Sequence, residues 1–569
     1  MKVIRILLIA GLVLVLAAVA FWIWLTYPMP RERERVSLPT NTVWLDTGLS
    51  EKERVLWHHL PEGSEAVPMS VLEALKSPRT GKQFLLSLAE YGFLLESEDP
   101  HKLPVGWAME IKELGGRLVP YVGINCAGCH SGELRYQGRS IRIDGAPNLV
   151  QLEAFFLDLR DAISAVQSNR LDTLLFLREV IRRNHVLRGE GEFLNISHQA
   201  LVHLESVDEA EATTPPVIRR PPPFRTTPTS HLRRASTNTT ATGDFFSELI
   251  ASISRDGSYL QRRLHNVQVL STAIDSGVDL GPGRGDSFGI IRRLLWPFDR
   301  LDLDAPVSTP HLFNFGRYGW IHWDGNTRSV MQRNVAQAIA LGADFDHATY
   351  QSSALIFNLH KLELIGRKLK APAWPEEILG AIDRPRAERG KAHFNKLCLD
   401  CHNGEQIYPV EQIGTSPVRA TNFALPIAGR DFPTALANIA AFAEKALLLQ
   451  HNVTAEQAHK LEIPHPDWRA TRGYVARTLG GVWATAPYLH NGSVPTLYDL
   501  LQPAARRPAK FPVGHRDYDP KKLGYVTDVA NPIFTVDTTI DGNHNSGHEF
   551  GTELSDDEKW ELLEYLKTL

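Results

Sequence analysis

The stretch Asn125–His130, NCAGCH, holds half of the chain's four cysteines, three residues apart with a histidine directly after them. The other two, Cys398 and Cys401, lie in LCLDCH (397–402), where His402 is again next in line. A C-x-x-C pair serves three chemistries: a dithiol–disulfide couple, half of a zinc site, or thioether attachment of a c-type haem. Attachment needs two thiols spaced to meet the vinyl groups along one edge of the porphyrin, and then an imidazole turned onto the iron. A redox dithiol has no use for that histidine. Histidine makes up 22 of 569 residues, so one follows a given pair by chance about once in 26. A four-cysteine zinc site would have to unite pairs some 270 residues apart and would leave both histidines idle. The motifs therefore predict two covalently bound haem c groups. Cys126, Cys129, Cys398 and Cys401 are the attachment points, and His130 and His402 are the proximal iron ligands.

Haem c is attached outside the bacterial cytoplasmic membrane, so an export signal is expected. Lys2 and Arg5 precede an uncharged run from Ile6 to Pro30, and RERER (31–35) follows. The strongly apolar part, Ile6 to Leu25, is long enough for a bilayer span and longer than a usual signal-peptide core. Trp22, Trp24 and Tyr27 suit a membrane–water interface. Ala18-Val19-Ala20 has the small-x-small form of a cleavage site, but the run continues past it into FWIWL, which favours a retained anchor. Basic residues flank both ends, so orientation follows from the haem argument. The expected location is the bacterial cytoplasmic membrane, with a single N-terminal span and the haem domains in the periplasm. A net charge of −4 and 43% hydrophobic residues describe a soluble body with no basic field for nucleic acid.

The chain divides on this reading into an anchor (1–30), a tether (31–60), an N-terminal haem c domain (61–200), a Pro/Ser/Thr-rich insertion (201–245), a central region contributing to the haem pockets (246–382) and a C-terminal cytochrome c domain (383–569). The expected fold class is mainly α, two cytochrome c-like domains joined by a loop-rich middle. Gly/Pro-punctuated loops, LPVGW (103–107) and IDGAPNL (143–149), flank the first motif. Leu152, Phe155, Phe156, Leu159 and Ile163 recur at helical spacing, and little strand alternation is visible nearby. TTPPVIRRPPPFRTTPTSHLRRASTNTTAT (213–242) has the composition of a solvated loop. Before the second motif, RPRAERGKAHFNKL reads as a helix carrying Gly390 and Phe394. LSDDEKWELLEYLKTL closes the chain, with Ser555 and Glu558 as a capping box and Trp560, Leu563 and Leu566 as an apolar stripe. A helix before the motif and a closing helix are what a cytochrome c fold requires, and Gly390 would let the two cross closely.

Each iron has one further axial position, whose occupant separates electron relay from chemistry. Methionine stands only at positions 1, 29, 69, 109 and 331, none beyond the second motif. A ligand from the second haem's own domain is then one of His451, His459, His465, His490, His515, His544 or His548. His548, in the Gly/Asn-rich DGNHNSGHEFG just before the last helix, is the choice, with His544 as runner-up. In FGRYGWIHWDGNT (315–327), Trp323 is a candidate electron relay between haems. A buried core tryptophan is the plainer alternative.

These pieces together resemble the di-haem cytochrome c peroxidase superfamily, and within it the rubber-oxygenase-like branch. LPVGW with NCAGCH, IDGAPNL, WIHWDGNT with QRNVAQA, LCLDCH, GVWATAPYLHNGSVPTLYDLL (481–501) and GHEFG carry the resemblance, in order over residues 100–569. It implies that peroxide or dioxygen reacts at the N-terminal haem, proximal ligand His130, and that the C-terminal haem, proximal ligand His402, exchanges electrons. It implies that APYLHNGS, with His490, lies near the second haem. Peroxidases of the family supply a methionine downstream of that segment, at the position where this chain has Ala504. That departure agrees with histidine ligation by His548.

The substrate is less legible. Rubber oxygenases line the reactive iron with apolar aromatic residues, whereas NVAQAIALGA here offers Ala338 and Ile339. A peroxidase needs a polar group to move a proton, and Asn334 or Gln337 is available. Three functions are expected in turn. One is reduction of hydrogen peroxide with electrons from a small periplasmic donor cytochrome or a quinone-linked donor. The second is a dioxygen- or peroxide-using oxygenase. The third is an electron carrier without catalysis.

Overall fold

The computed structural model describes all residues except 1, 28–34, 40, 99–101, 115–116, 190–263, 278, 300, 405 and 462–466. The Pro-rich stretch 213–242, the rest of 201–245 and His465 therefore lie outside the described residues. Helices dominate, with six small sheets of two or three strands among the described residues.

Two hairpins bracket the first motif. Trp107–Leu114 pairs antiparallel with Arg117–Ile124, which takes Val67–Pro68 as a short second neighbour. Directly after the motif, Ser131–Tyr136 pairs with Arg139–Asp144, and Thr42–Trp44 joins parallel to the latter. The connection is a tight turn with Gln137 and Gly138 both at positive φ (47° and 76°). That is the backbone twist a tight hairpin needs. The sequence did not announce these strands because polar residues stand inside them. Glu133, Arg142 and Asp144 are buried, and Arg142 Nε donates to Glu133 Oε2 at 2.9 Å. Strands buried on both faces lack the in–out alternation that marks a half-exposed sheet.

The expected helix after the motif spans Leu152–Val166 and buries Phe155, Phe156, Leu159 and Ile163. They pack with Trp107, Val122 and Ile124 in one core. A second core mixes Leu134, Ile141 and Ile143 from the hairpin with Trp483, Phe511, Leu562 and Leu563 from the C-terminal part. Arg516 reinforces this, its Nη2 donating to Gly92 O and Asn148 Oδ1. Segments from 61–200 and 383–569 thus share a core.

The helix Arg384–Leu397 crosses the closing helix Asp556–Leu566. Ser555 caps the latter by accepting from Glu558 N while Glu558 accepts from Ser555 N, the reciprocal box read from the sequence. A Cβ at Gly390 would stand 1.9 Å from Glu561 O, so only glycine permits this approach. Gly390→Val is expected to cost about 3 kcal/mol of stability by overpacking, seen as a lowered melting temperature. A melting temperature unchanged within error would contradict the crossing.

The N-terminal helix spans Lys2–Thr26. The apolar stretch within it described to the side chain is Ile9–Trp24, and most of its large side chains are exposed. Among the described residues one helix is by length and composition apolar enough to cross a membrane, and it is Phe432–Gln450 rather than the N-terminal one. Its Phe432, Ala435, Leu436 and Leu447 are buried in a third core with Met331, Val335, Ala338 and Ile339.

Candidate haem sites

Cys126–His130 forms a single helical turn. Asn125 starts it, accepting from Ala127 N with Oδ1 and donating Nδ2 to Trp57 O and Leu60 O. The loop read as IDGAPNL takes up the carbonyls at the other end. Gly145 N donates to His130 O, Asn148 N to Cys129 O and Asn148 Nδ2 to Gly128 O. LPVGW closes the third side. Gly106 has φ +79°, and a Cβ there would lie 1.9 Å from Gly128 N, so the two loops touch backbone to backbone. The conspicuous loops of the sequence are therefore the walls of the motif.

His130 Nδ1 lies 2.9 Å from Pro310 O. At the second motif His402 Nδ1 lies 2.7 Å from Arg477 O. A carbonyl oxygen only accepts, so both imidazoles carry their proton on Nδ1 and present the Nε2 lone pair. This is the orientation a metal-binding histidine requires. Burial, helped by the Arg333 charge, pushes His130 down to about 3, and burial lowers His402. Both rings are neutral at physiological pH.

Across from His402 stands His548, the rings 6.0 Å apart between centroids and tilted by 58°. Two metal–nitrogen bonds of about 2 Å and two ring radii of about 1 Å add up to that separation, so the pair is spaced to hold one iron between them. His548 Nδ1 is buried without a partner. Its backbone is left-handed, φ +50°, a conformation that costs about 1–2 kcal/mol and is held by its surroundings. His548 N donates to Ile413 O, and the Arg507 guanidinium donates to the carbonyls of Gly547 and His548. The HNGS segment contributes as well, Asn491 Nδ2 donating to Gly542 O and His544 O. His490 itself stacks on Tyr474 at 3.9 Å, and among the described residues it makes no ring contact with His402 or His548. His544 lies 3.8 Å from Asp541 with 41% of its side chain exposed and does not face His402. His548→Gly is expected to convert the second haem from low-spin to high-spin, read in the EPR and visible spectra. An unchanged spectrum would place the ligand elsewhere.

Trp323 lies between the segments that hold the two proximal histidines. Its Nε1 donates to Ser308 O at 2.7 Å, close in sequence to Pro310. Its carbonyl accepts from Val475 N, close in sequence to Arg477. Arg477 also places its guanidinium 5.8 Å from the Trp323 ring.

Near the first motif, Gln337 points Nε2 at Cys126 Sγ, 3.9 Å away. The sequence reading missed its neighbour. Glu62, 1% exposed, has Oε2 3.6 Å from the same sulfur and Oε1 buried without a partner. Burial raises its carboxyl to about 8 against the opposing pull of Arg333, so it holds a proton at neutral pH. Only folding could reveal it, because Glu62 and Cys126 belong to distant parts of the chain.

A second unforeseen group pins the motif hairpin. His58 Nε2 lies 2.8 Å from Asp144 Oδ1 and Nδ1 lies 3.0 Å from Glu96 Oε1. His59 Nε2 meets the other Glu96 oxygen at 2.9 Å, and Ser131, the residue after His130, donates to Asp144. His58, His59 and Glu96 have metal-ligand spacing, and among the described residues no other three histidine, cysteine or acidic side chains do. With both nitrogens of His58 on carboxylates, the network closes without an ion. The four thiols are free and do not converge, against a shared zinc site.

The residues fit haem in one further respect. Arg284 is buried with Nε and Nη1 unpartnered, a guanidinium lacking the carboxylate that a haem propionate would supply.

A family model described as RoxA-like, cytochrome c-like, matches residues 473–512. Such a domain implies covalently bound haem c, and it supports the rubber-oxygenase-like branch of the resemblance. The segment contains Arg477, whose carbonyl lies against His402, and His490. Among curated relatives, the uncharacterized protein y4iJ of Sinorhizobium fredii is 28% identical over 92% of this chain and 93% of its own length. The uncharacterized protein y4iM of the same organism is 32% identical over 46% of this chain and 64% of its own.

Proposed function

We propose that the chain is a di-haem c-type cytochrome, anchored in the bacterial cytoplasmic membrane by its N-terminal helix with two cytochrome c-like domains in the periplasm. In this reading it reduces hydrogen peroxide with electrons from a small donor cytochrome or a quinone-linked donor. The observation that carries it is an asymmetry. Among the described residues His402 has a facing imidazole at ligation distance, and His130 has no such ring pair. Haem at the second motif supplies an electron relay and haem at the first an iron for peroxide chemistry. The protein's own work is then local. His402 and His548 would hold the iron of a haem at the second motif, and His130, fixed by Pro310 O, would hold that of a haem at the first. Glu62 Oε1 keeps a proton beside Cys126, and Gln337 lies against the same sulfur to orient what enters. Trp323 offers an aromatic step between the two proximal strands.

A second reading has support. The RoxA-like match favours an oxygenase acting with dioxygen or peroxide on an organic substrate. EPR of the ferric protein from a host that matures haem c tests both. One high-spin and one low-spin signal are expected, with peroxide-dependent oxidation of reduced cytochrome c. His130→Ala should abolish turnover and keep the low-spin couple. Turnover surviving that change would reverse the roles of the haems. Dioxygen uptake without peroxide turnover would select the oxygenase. Two low-spin signals, with the haem that stays ferric after half-reduction still low-spin, would leave an electron carrier.

A further inference from the structure

Glu62 faces two ways. Its Oε2 lies against Cys126 Sγ, and its Oε1 has no hydrogen-bond partner although the residue is 1% exposed. Beside it is a cavity of about 10 Å³, walled on one side by the loop 61–65 and on the other by the hairpin residues Ala108, Glu110 and Tyr121. That is room for about one water molecule.

Backbone contact sets the two walls. A Cβ at Gly123 would stand 1.3 Å from Ser64 O, and Ser64 Oγ donates to Ile124 O. The loop is therefore pressed onto the strand Arg117–Ile124 at its motif end. In the paired strand Ala108 stands opposite Gly123 and Glu110 opposite Tyr121. Alternate residues of a strand share a face, so Ala108, Glu110 and Lys112 form one row that leads away from the haem motif in steps of about 7 Å. Lys112 reaches across to the loop and pairs with Glu65. Exposure rises outward along these walls. Glu62 and Glu65 are 1% and 2% exposed, whereas the side chains of Glu110 and Lys112 are each 22% exposed. Glu62, Glu65 and Glu110 thus line one water-sized space, the first against an attachment cysteine and the last meeting solvent. Among the described residues their carboxylates do not come close enough together to hold a metal ion.

We propose that Glu110, through water in this cavity, returns protons from solvent to Glu62. The inference rests on the reading of Glu62 as the proton donor at the first haem. When Glu62 gives its proton to the oxygen being reduced, it is left as a buried carboxylate, a costly state. Water in the cavity then hands it a proton and takes one from the Glu110 carboxyl, which is refilled from solvent. One proton moves inward for each one delivered, so the charge of the site is restored at every cycle. Glu65, anchored by Lys112, borders the route as a fixed hydrogen-bond acceptor that positions the water.

Hydrogen–deuterium exchange of the Glu62 carboxyl, read by infrared spectroscopy at pH 6 in the full-length haem-loaded protein, tests the route without needing turnover. The reporter is the protonated-carboxyl band that disappears in Glu62→Gln. Transfer to heavy water shifts that band at a rate set by proton access. Glu110→Gln keeps the shape of the wall, and Ala108→Val narrows the space without touching a titratable group. Each is expected to slow the shift by about tenfold, less than the effect of removing the donor itself because solvent still reaches the cavity by slower paths. Glu110→Asp should restore the rate. Exchange in Glu110→Gln at the wild-type rate would overturn the route, and a loss of turnover in Glu62→Gln would then leave the assignment of Glu62 standing. If Glu62→Gln removes no protonated-carboxyl band, the assignment and the route fail together.

Discussion

Under the proposed peroxidase activity, Glu62→Gln is expected to lower peroxide turnover by about 10²–10⁴-fold, the range for loss of a positioned proton donor or acceptor, with haem content and haem spectra unchanged. The substitution keeps shape and burial and removes only the transferable proton. Among the described residues Glu62 is the one carboxyl found against Cys126, and its Oε1 is buried without a hydrogen-bond partner. A carboxyl raised to about 8 by burial carries its proton below that pH and loses it above. Wild-type activity should therefore fall as pH rises through about 8, and the Gln variant should lack that limb. Turnover within twofold of wild type, with the same pH profile, would transfer the role to Gln337. Glu62→Asp retains the proton and should recover part of the rate.

His58→Ala destabilises the protein by about 3–5 kcal/mol, because two carboxylates lose their buried partner. The His58 side chain is 2% exposed between Asp144 and Glu96, with His59 on Glu96 and Arg54 on Asp144. Burial opposes its protonation, and the hydrogen bonds and charges of Asp144 and Glu96 outweigh that, raising it to about 9. A folded-state value above the unfolded 6.5 means a stabilising contribution that is complete below pH 6.5 and lost as pH rises through about 9. Denaturant unfolding at pH 6 and pH 10 should show wild type losing stability over that interval and the Ala variant losing less. Equal losses would remove His58 as the cause. Asp144 also accepts from Ser131, the residue after His130, so the variant is further expected to incorporate less haem at the first motif.

Much of the second site was legible because its signals are local. Helix, capping box and glycine crossing follow from spacing and caps within a few residues, and Gly390 against Glu561 O is where the reading placed it. The absence of methionine beyond Cys401 turned a choice among ligands into a choice among histidines, and the fold brings only His548 of the seven into ring contact with His402 among the described residues. The strands around the first motif were not legible. Glu133, Arg142 and Asp144 interrupt their apolar pattern, and they are tolerated there because each is hydrogen-bonded where it is buried. Trp323 was picked out by composition around it, but its link to both proximal strands depends on Ser308 and Val475, which meet it only in the folded chain.

Short stretches of sequence point to the attachment chemistry: two C-x-x-C-H motifs with the histidine that follows each, and the loops LPVGW and IDGAPNL that flank the first. Those are properties of a few consecutive residues, set by bond geometry and by glycines no other side chain replaces. Tertiary structure alone decided what surrounds each motif. A carboxyl from a separate segment reaches Cys126, and an imidazole from near the end of the chain meets His402 at 6.0 Å. A basic helix face lies against the end of the N-terminal helix. Burial gives these groups their altered proton affinity and their partners, and burial is a property of the folded chain that no local stretch encodes.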